Sequence, residues 1–381
     1  MHLFSPFEVR GVRARNRVVV SPMWQYAGVN GMPTTTHLVH LGKLAEGGAG
    51  IVFQEGTTVD RSGRGTTGDV GLWNDDVIPH YERIVQVIRG AGAVAGVQLI
   101  HAGPKARRQP PWEDSSTRPP HAEDWPVLAP SDLPPSGADW ASPRAMTLEE
   151  IRSTVDAWTQ AARRADAAGY EVIDVQAAHG YLLHAFLSDV TNLRTDRYGG
   201  SEENRERLLM EVIDGIRSVW PDHKALFVRL SCVDVGWDIE RTVSLVERLH
   251  ARGVDVIDCS TGGLTGRPAP SALPTSYGYQ VKYAGEVRRR TGVPTMAVGL
   301  VVHPRLAAEI VAGGDADLVA LGREFLRNPN WTIDAALELG VDDPYIYAPL
   351  RTGHWLRARD RATAHFSPST TGSPDLRDGE S

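Results

Sequence analysis

Cysteine is nearly absent from this sequence: only Cys232 and Cys259 occur among 381 residues, each inside a short apolar run. Two such residues do not make a disulfide framework, and both read as packing side chains. Long hydrophobic runs are missing as well. No stretch approaches the roughly 20 apolar residues that a membrane helix needs, and the opening MHLFSPFEVRG lacks the charged-then-apolar layout of a signal peptide. The expectation is a cytoplasmic protein with no membrane partner. Positive charge is not in excess either: 40 Lys and Arg stand against 47 Asp and Glu, a formal net charge of −7. A nucleic-acid partner would require a basic stripe, so small molecules are the expected ligands.

Several catalytic signatures are also lacking. No G-x-G-x-x-G follows a strand and opens a helix; the nearest approach, GAGAVAG at Gly90–Gly96, precedes a strand and reads as a helix C-cap and turn. A P-loop, a G-x-S-x-G elbow, H-E-x-x-H and C-x-x-C are missing. The histidine pairs His37/His40 and His179/His184 have poor ligand spacing, so no metal is expected, and His37 and His40 read as surface or capping residues.

What is present is alternation. Short β-branched runs at Val18–Ser21, Gly50–Glu55, Val94–Leu99, Val172–Gln176, Leu226–Ser231, Val254–Cys259, Thr295–Val298 and Leu318–Leu321 alternate with amphipathic stretches. The latter include Ile78–Arg89, Leu148–Ala168, Glu202–Val219, Arg241–Arg252, Gln280–Arg290 and Arg305–Ala312, several closed by glycine, as in AAGY, ARGV and RTGV. Eight βα repeats suggest an α/β fold of the (β/α)8 TIM-barrel type, although a doubly wound sheet alternates in the same way. The polar residues favour the barrel. Glu55, Gln98, Gln176, Arg229, Gly299 and Gly322 all fall at or just past strand C-terminal ends, which is the catalytic face of a barrel. Residues 1–366 are read as one such domain. Within it, 104–143 is a Pro-rich insertion after the third strand whose Trp112, Trp125 and Trp140 suggest a partly ordered lid, and 367–381 reads as a disordered tail.

The densest local signal is Gln176-Ala-Ala-His179-Gly-Tyr181-Leu-Leu-His184, then Asn192-Leu-Arg-Thr-Asp196-Arg197-Tyr198-Gly199-Gly200-Ser201 and Asn204-Arg205. In the same order along the chain stand Ser21-Pro22-Met23 with Tyr26, Gln98 with His101-Ala-Gly, Phe227-Val-Arg229, Gly299, and Gly322-Arg323-Glu-Phe-Leu-Arg327-Asn-Pro329. This series resembles the old yellow enzyme family, in particular its bacterial branch, whose signature reads H-A-A-H-G-Y, then N-x-R-x-D-x-Y-G-G-S and N-R. The resemblance runs from Leu3 to about Asn330.

The resemblance implies an NAD(P)H:flavin oxidoreductase with non-covalently bound FMN, taking hydride from NADPH or NADH and passing it to the C=C bond of an α,β-unsaturated carbonyl compound. It implies that Gly299, Gly322 and Arg323 hold the phosphate, that Ser21, Pro22, Met23 and Gly56 pack around the ring, and that Gln98 and Arg229 meet its polar edge. Gln176 and His179 would hold the substrate carbonyl and Tyr181 would protonate the α-carbon, with Trp24 and Tyr26 completing the substrate pocket. A homo-oligomer, dimer or tetramer, is expected, in which Arg351 could enter a neighbouring subunit's site; a tail helix packing on its own barrel is the alternative for Tyr345, Tyr347, Arg351 and Trp355.

Three positions depart from the pattern. Gln176 replaces the usual His and cannot carry positive charge. Trp24 occupies a slot where the branch commonly has Cys, and Pro104 stands where an Arg is common. Two other functions stay open: a flavin-dependent desaturase or amine dehydrogenase, and a cofactor-free barrel hydrolase using a strand-end carboxylate such as Glu55.

Overall fold

The computed structural model describes residues 2–113, 125–134, 141–264 and 276–366, and these described residues form twelve strands. They are β1 (Phe7–Val9), β2 (Val12–Ala14), β3 (Val18–Val20), β4 (Ile51–Thr58), β5 (Val94–Ile100), β6 (Leu128–Ala129), β7 (Arg144–Ala145), β8 (Val172–Ala177), β9 (Ala225–Ser231), β10 (Val256–Ser260), β11 (Thr295–Ala297) and β12 (Leu318–Leu321). Eight of them close into a parallel barrel in the order β3-β4-β5-β8-β9-β10-β11-β12, with β12 pairing back to β3. All eight expected runs are the barrel strands.

The barrel forms because each strand alternates two kinds of buried side chain. Val19, Ile51, Phe53, Val94, Val172, Phe227, Val256, Met296, Leu318 and Ala320 point inward and pack on one another. Val18, Val20, Val52, Val97, Ile173, Val175 and Val228 point outward into the layer filled by the helices. Both faces are covered, so the strands read as apolar runs. The β1–β2 hairpin was not expected; its Phe7, Val12 and Ala14 join the inward cluster and close the N-terminal end.

Helices follow the expected stretches, among them Ile78–Gly90, Leu148–Ala167, Glu202–Arg217 and Ile239–Ala251. The first turn of Leu148–Ala167 is fixed by a capping box between Thr147 and Glu150. The glycines of AAGY, ARGV and RTGV, namely Gly169, Gly253 and Gly292, all have positive φ, as helix-ending glycines do.

Some expectations need correction. His37 and His40 are not surface residues but buried on the helix Thr35–Glu46, where His37 caps the first turn by accepting the Thr34 N–H. β4 runs on to Thr58, so Glu55 and Gly56 lie within it, beside a register shift against β5 between Gln54 and Thr57. Tyr345 and Tyr347 are buried on their own barrel, Tyr347 stacking obliquely on Phe4, while Arg351 and Trp355 of the helix Leu350–Thr363 are exposed. Of the proposed lid, Trp125 is buried with the Arg64 guanidinium 4.4 Å above its ring and Trp112 is exposed. Trp140 and the expected tail 367–381 lie outside the described residues.

Candidate active site

Inward parity carries polar residues once the strands near their C-terminal ends. On β5 the inward series 94, 96, 98 reaches Gln98 before closing on Ile100; on β8 it passes Asp174 to Gln176; on β9 it reaches Arg229 and Ser231; on β10 it reaches Asp258 and Ser260. Register places Gln98 beside Asp174, Gln176 beside Arg229, Asp258 beside Arg229, and Ser260 beside Ser231. A single polar layer thus replaces the apolar interior.

Hydrogen bonds orient that layer. Gln98 Nε2 donates to Asp174 Oδ2 at 2.7 Å, and Gln176 Nε2 faces Gln98 Oε1 at 3.4 Å. The Gln176 Oε1 accepts the Ala178 N–H at 3.0 Å, so its amide nitrogen is the end left for a ligand. Arg229 Nε lies 3.3 Å from Asp258 Oδ2, and the Asp258 side chain is fully buried. One cation faces two buried carboxyls. Burial first, and then the Asp258 charge, pushes the Asp174 pKa up to about 7 against the opposing Gln98 bond and Arg229.

Beyond β8 the chain turns sharply. His179 adopts φ +61 and Gly180 φ +74. The His179 N–H donates to Ser231 Oγ at 3.0 Å, and its Nε2 lies 2.6 Å from Ser260 Oγ. Burial, followed by the charges of Arg229 and Lys105, holds this imidazole well below the ordinary histidine range, so it is neutral. Tyr181 is buried too; burial raises its pKa against the charge and hydrogen bond of Arg108, so its proton stays on.

The opposite wall comes from the loop after β3. Gln25 N–H donates to Glu55 Oε2 at 2.7 Å, and Glu55 Oε1 pairs with His37 Nε2 at 2.9 Å, with both side chains almost fully buried. This pair anchors the loop and commits both Glu55 oxygens. The Trp24 indole N–H donates to the Gly56 carbonyl at 2.8 Å, and a Cβ on residue 56 would come within 2.9 Å of that nitrogen. Trp24 then meets Tyr181 edge-on at 5.5 Å and Tyr26 at 5.8 Å.

Gln98, Gln176, His179, Tyr181, Arg229, Trp24 and Tyr26 are therefore brought to one barrel mouth. Ser21, Met23 and Gly322 adjoin: an added Cβ on Gly322 would lie 3.4 Å from the Met23 sulfur and 3.9 Å from the Ser21 Cβ. Gly299, at φ +115, follows β11, the neighbour of β12, and Arg323 is exposed beside Gly322. Pro22 lies between Ser21 and Met23, half-buried.

These residues fit FMN. Among the described residues, Ser21 Oγ and Arg229 Nε are buried without a hydrogen-bond partner, and buried polar atoms of that kind require one. A cation and an amide for a polar ring edge, and an exposed arginine near two glycines for a phosphate, match the group's two ends. Sequence reading missed Asp174, Asp258, Ser231 and Ser260, although polar residues interrupting VIDV and VIDC carried the same signal as Gln98. Lys105 and Arg108 gave no such signal.

The sequence matches the NADH:flavin oxidoreductase / NADH oxidase family over residues 2–340. It is 41% identical over 344 residues to an NADPH dehydrogenase of Geobacillus thermodenitrificans, covering 89% of this chain and 95% of that protein. An NADPH dehydrogenase of Listeria monocytogenes is 40% identical over 353 residues, 91% and 98% of the respective chains. Among solved structures, morphinone reductase in complex with tetrahydroNAD superposes with a TM-score of 0.74 at 26% identity, covering 89% of this chain and 91% of that one.

Proposed function

The chain belongs to the NADH:flavin oxidoreductase / NADH oxidase family, an FMN-dependent oxidoreductase using NAD(P)H, and on that premise we propose how its own residues act on the acceptor. Bound FMN supplies the chemistry of hydride transfer from the reduced nicotinamide to an electron-poor C=C bond. Gln98 and Arg229 bind its polar edge, Ser21, Pro22, Met23 and Gly56 pack beside its ring, and Gly299, Gly322 and Arg323 bind its phosphate.

The observation that carries the reading is the convergence of Gln176, His179 and Tyr181 on the mouth that Gln98 and Arg229 line from below. Gln176 has its Oε1 committed to Ala178 N, so its Nε2 donates to the substrate carbonyl oxygen. For His179 to donate beside it, Nδ1 must carry the proton, which requires Nε2 to accept from the Ser260 hydroxyl 2.6 Å away. Both donors are neutral. They polarise the carbonyl through hydrogen bonds and not through charge, which suits acceptors that are already strongly activated. Tyr181, held protonated, supplies the proton to the α-carbon. Trp24 and Tyr26 wall the pocket and exclude water from that step.

A hydrolase using Glu55 is not supported, because that carboxylate is buried and occupied by His37 and the Gln25 N–H. The working assembly is read as a homo-oligomer in the cytoplasm, with residues 1–366 as its barrel domain. Anaerobic stopped-flow tests the direction of the reaction: NADPH should bleach the flavin and an enone should restore its colour. Bleaching by a saturated ketone or an amine, with no response to NADPH or NADH, would assign a desaturase or amine dehydrogenase instead.

A further inference from the structure

We propose that Lys105 is a positioning residue that holds His179 in its working orientation by clamping together the loops after β8 and β10. The proposal rests on the reading of His179 as a donor to the substrate oxygen. Lys105 closes the short 3₁₀ turn Gly103–Lys105 after β5, and its side chain is fully buried. Its Nζ donates to the His179 carbonyl at 2.6 Å and also to the Gly263 carbonyl. These acceptors are far apart in sequence but touch in space. A Cβ on Gly180 would fall 2.4 Å from the Gly263 oxygen and 3.0 Å from Lys105 Cε, and one on Gly263 would fall 2.5 Å from the His179 Cα.

His179 needs such a clamp. A non-glycine residue at φ +61 lies in a sparsely populated region and stays there only when its surroundings over-determine it. Its N–H is held by Ser231, whose own hydroxyl donates to the Gly262 carbonyl at 2.7 Å, and its ring is held by Ser260. Lys105 supplies the tie at the carbonyl. It brings two carbonyl dipoles to one point, which an ammonium with several donors can satisfy together.

Burying that charge is unfavourable enough to pull the Lys105 pKa down to about 7, with Arg108 adding to the effect and Asp234 opposing it. An apolar side chain of the same length would fill the space without that cost. Packing alone therefore does not explain a lysine. Nor does substrate contact, since the side chain is wholly enclosed.

The test is made on the full-length FMN-loaded enzyme, titrated with 4-hydroxybenzaldehyde, whose phenolate gives a charge-transfer band over the flavin. Lys105→Met should weaken phenolate binding about tenfold, the loss expected for one positioning hydrogen bond, with FMN content retained. His179→Ala should weaken it at least as much. The double variant should bind no more weakly than His179→Ala alone, because Lys105 acts through His179. Additive losses, or unchanged phenolate affinity in Lys105→Met when His179→Ala is impaired, would overturn the clamp and leave the reading of His179 intact. Unchanged affinity in His179→Ala would overturn that reading and the clamp with it. Should Lys105→Met fail to hold FMN, Lys105→Gln keeps one donor in place and should give an intermediate weakening; wild-type affinity there would equally overturn the proposal.

Discussion

Removal of Arg229 should affect stability and flavin binding by separable routes. It lies 3.3 Å from Asp258, whose side chain is fully buried, and it also opposes the upward shift of Asp174. Arg229→Met leaves both carboxyls in the barrel interior without a cation. Each pH unit between the ordinary aspartate value of 3.8 and neutrality costs about 1.4 kcal/mol when a carboxyl is forced to stay neutral, which sets a ceiling of about 4 kcal/mol for Asp258 at pH 7. Asp258 is already shifted upward in the parent protein by burial, so the increment is smaller. The expected loss is about 2–4 kcal/mol, overlapping the low end of the roughly 3–5 kcal/mol that breaking a buried pair from one side costs.

The sign in pH is fixed by the same reasoning. A carboxyl whose folded pKa is raised contributes stability that is fully present below its unfolded pKa and is lost as pH rises. The Arg229→Met deficit should therefore be largest near pH 8, shrink through pH 5 and vanish near pH 4. Equilibrium urea unfolding of FMN-stripped protein at several pH values measures it without the ligand's own contribution to stability. Adding Asp258→Asn should recover most of the stability at pH 7 but none of the flavin affinity or potential. A variant as stable as its parent at pH 7 and 8, or a deficit that grows on acidification, would refute the buried-pair account.

Arg323→Ala should weaken FMN binding about tenfold, the low end for a charge-assisted contact because the side chain is exposed, and should leave riboflavin binding unchanged; fluorescence titration of the apoprotein with both flavins checks this. Acid precipitation should release all the yellow colour into solution, whereas colour retained in the pellet would mean a covalent bond. Gln176→His should improve turnover of simple enones such as cyclohexenone by restoring the ring usual at that position, and unchanged rates and ligand affinity would remove residue 176 from the carbonyl site. His40 is held down to about 4 by burial, so its contribution to stability is present above pH 6.5 and lost as pH falls toward 4. His40→Leu should therefore flatten the stability curve across that window, read by urea unfolding.

The barrel was legible because its evidence is local. Each barrel strand is a short, mostly apolar run of three to eight residues set by its own two-sided burial, and several helices end at a glycine that announces itself, as at Gly169, Gly253 and Gly292. The polar layer of the candidate site was legible for a related reason. Gln98, Gln176 and Arg229 interrupt inward-facing positions that the strand otherwise fills with valine and phenylalanine, so a polar residue there stands out without knowledge of its partners. Asp174 and Asp258 obey the same rule and were within reach of it. The β1–β2 hairpin was not, since FEV and VRA each put a charged residue in the middle of three positions and carry too little pattern to separate from loop.

Lys105 and Glu55 mark a different limit. Hydropathy assigns a lysine in a Gly-Pro-Lys turn to solvent, and what overturns that assignment is a pair of carbonyls 74 and 158 residues away in sequence. Glu55 reads as a free strand-end carboxylate until His37, on the preceding helix, is found against it. Trp24 and Gly56 show the limit most sharply. Neither residue points to the other in sequence, but a Cβ on residue 56 would come within 2.9 Å of the indole nitrogen, and the carbonyl that nitrogen binds is that of the same glycine. A large residue in the first loop is compatible with the site only because a small one stands in the second strand. Pairs of this kind are brought together by barrel closure, and they become visible only once the pairing of β3 with β4 sets the loop after β3 beside the end of β4.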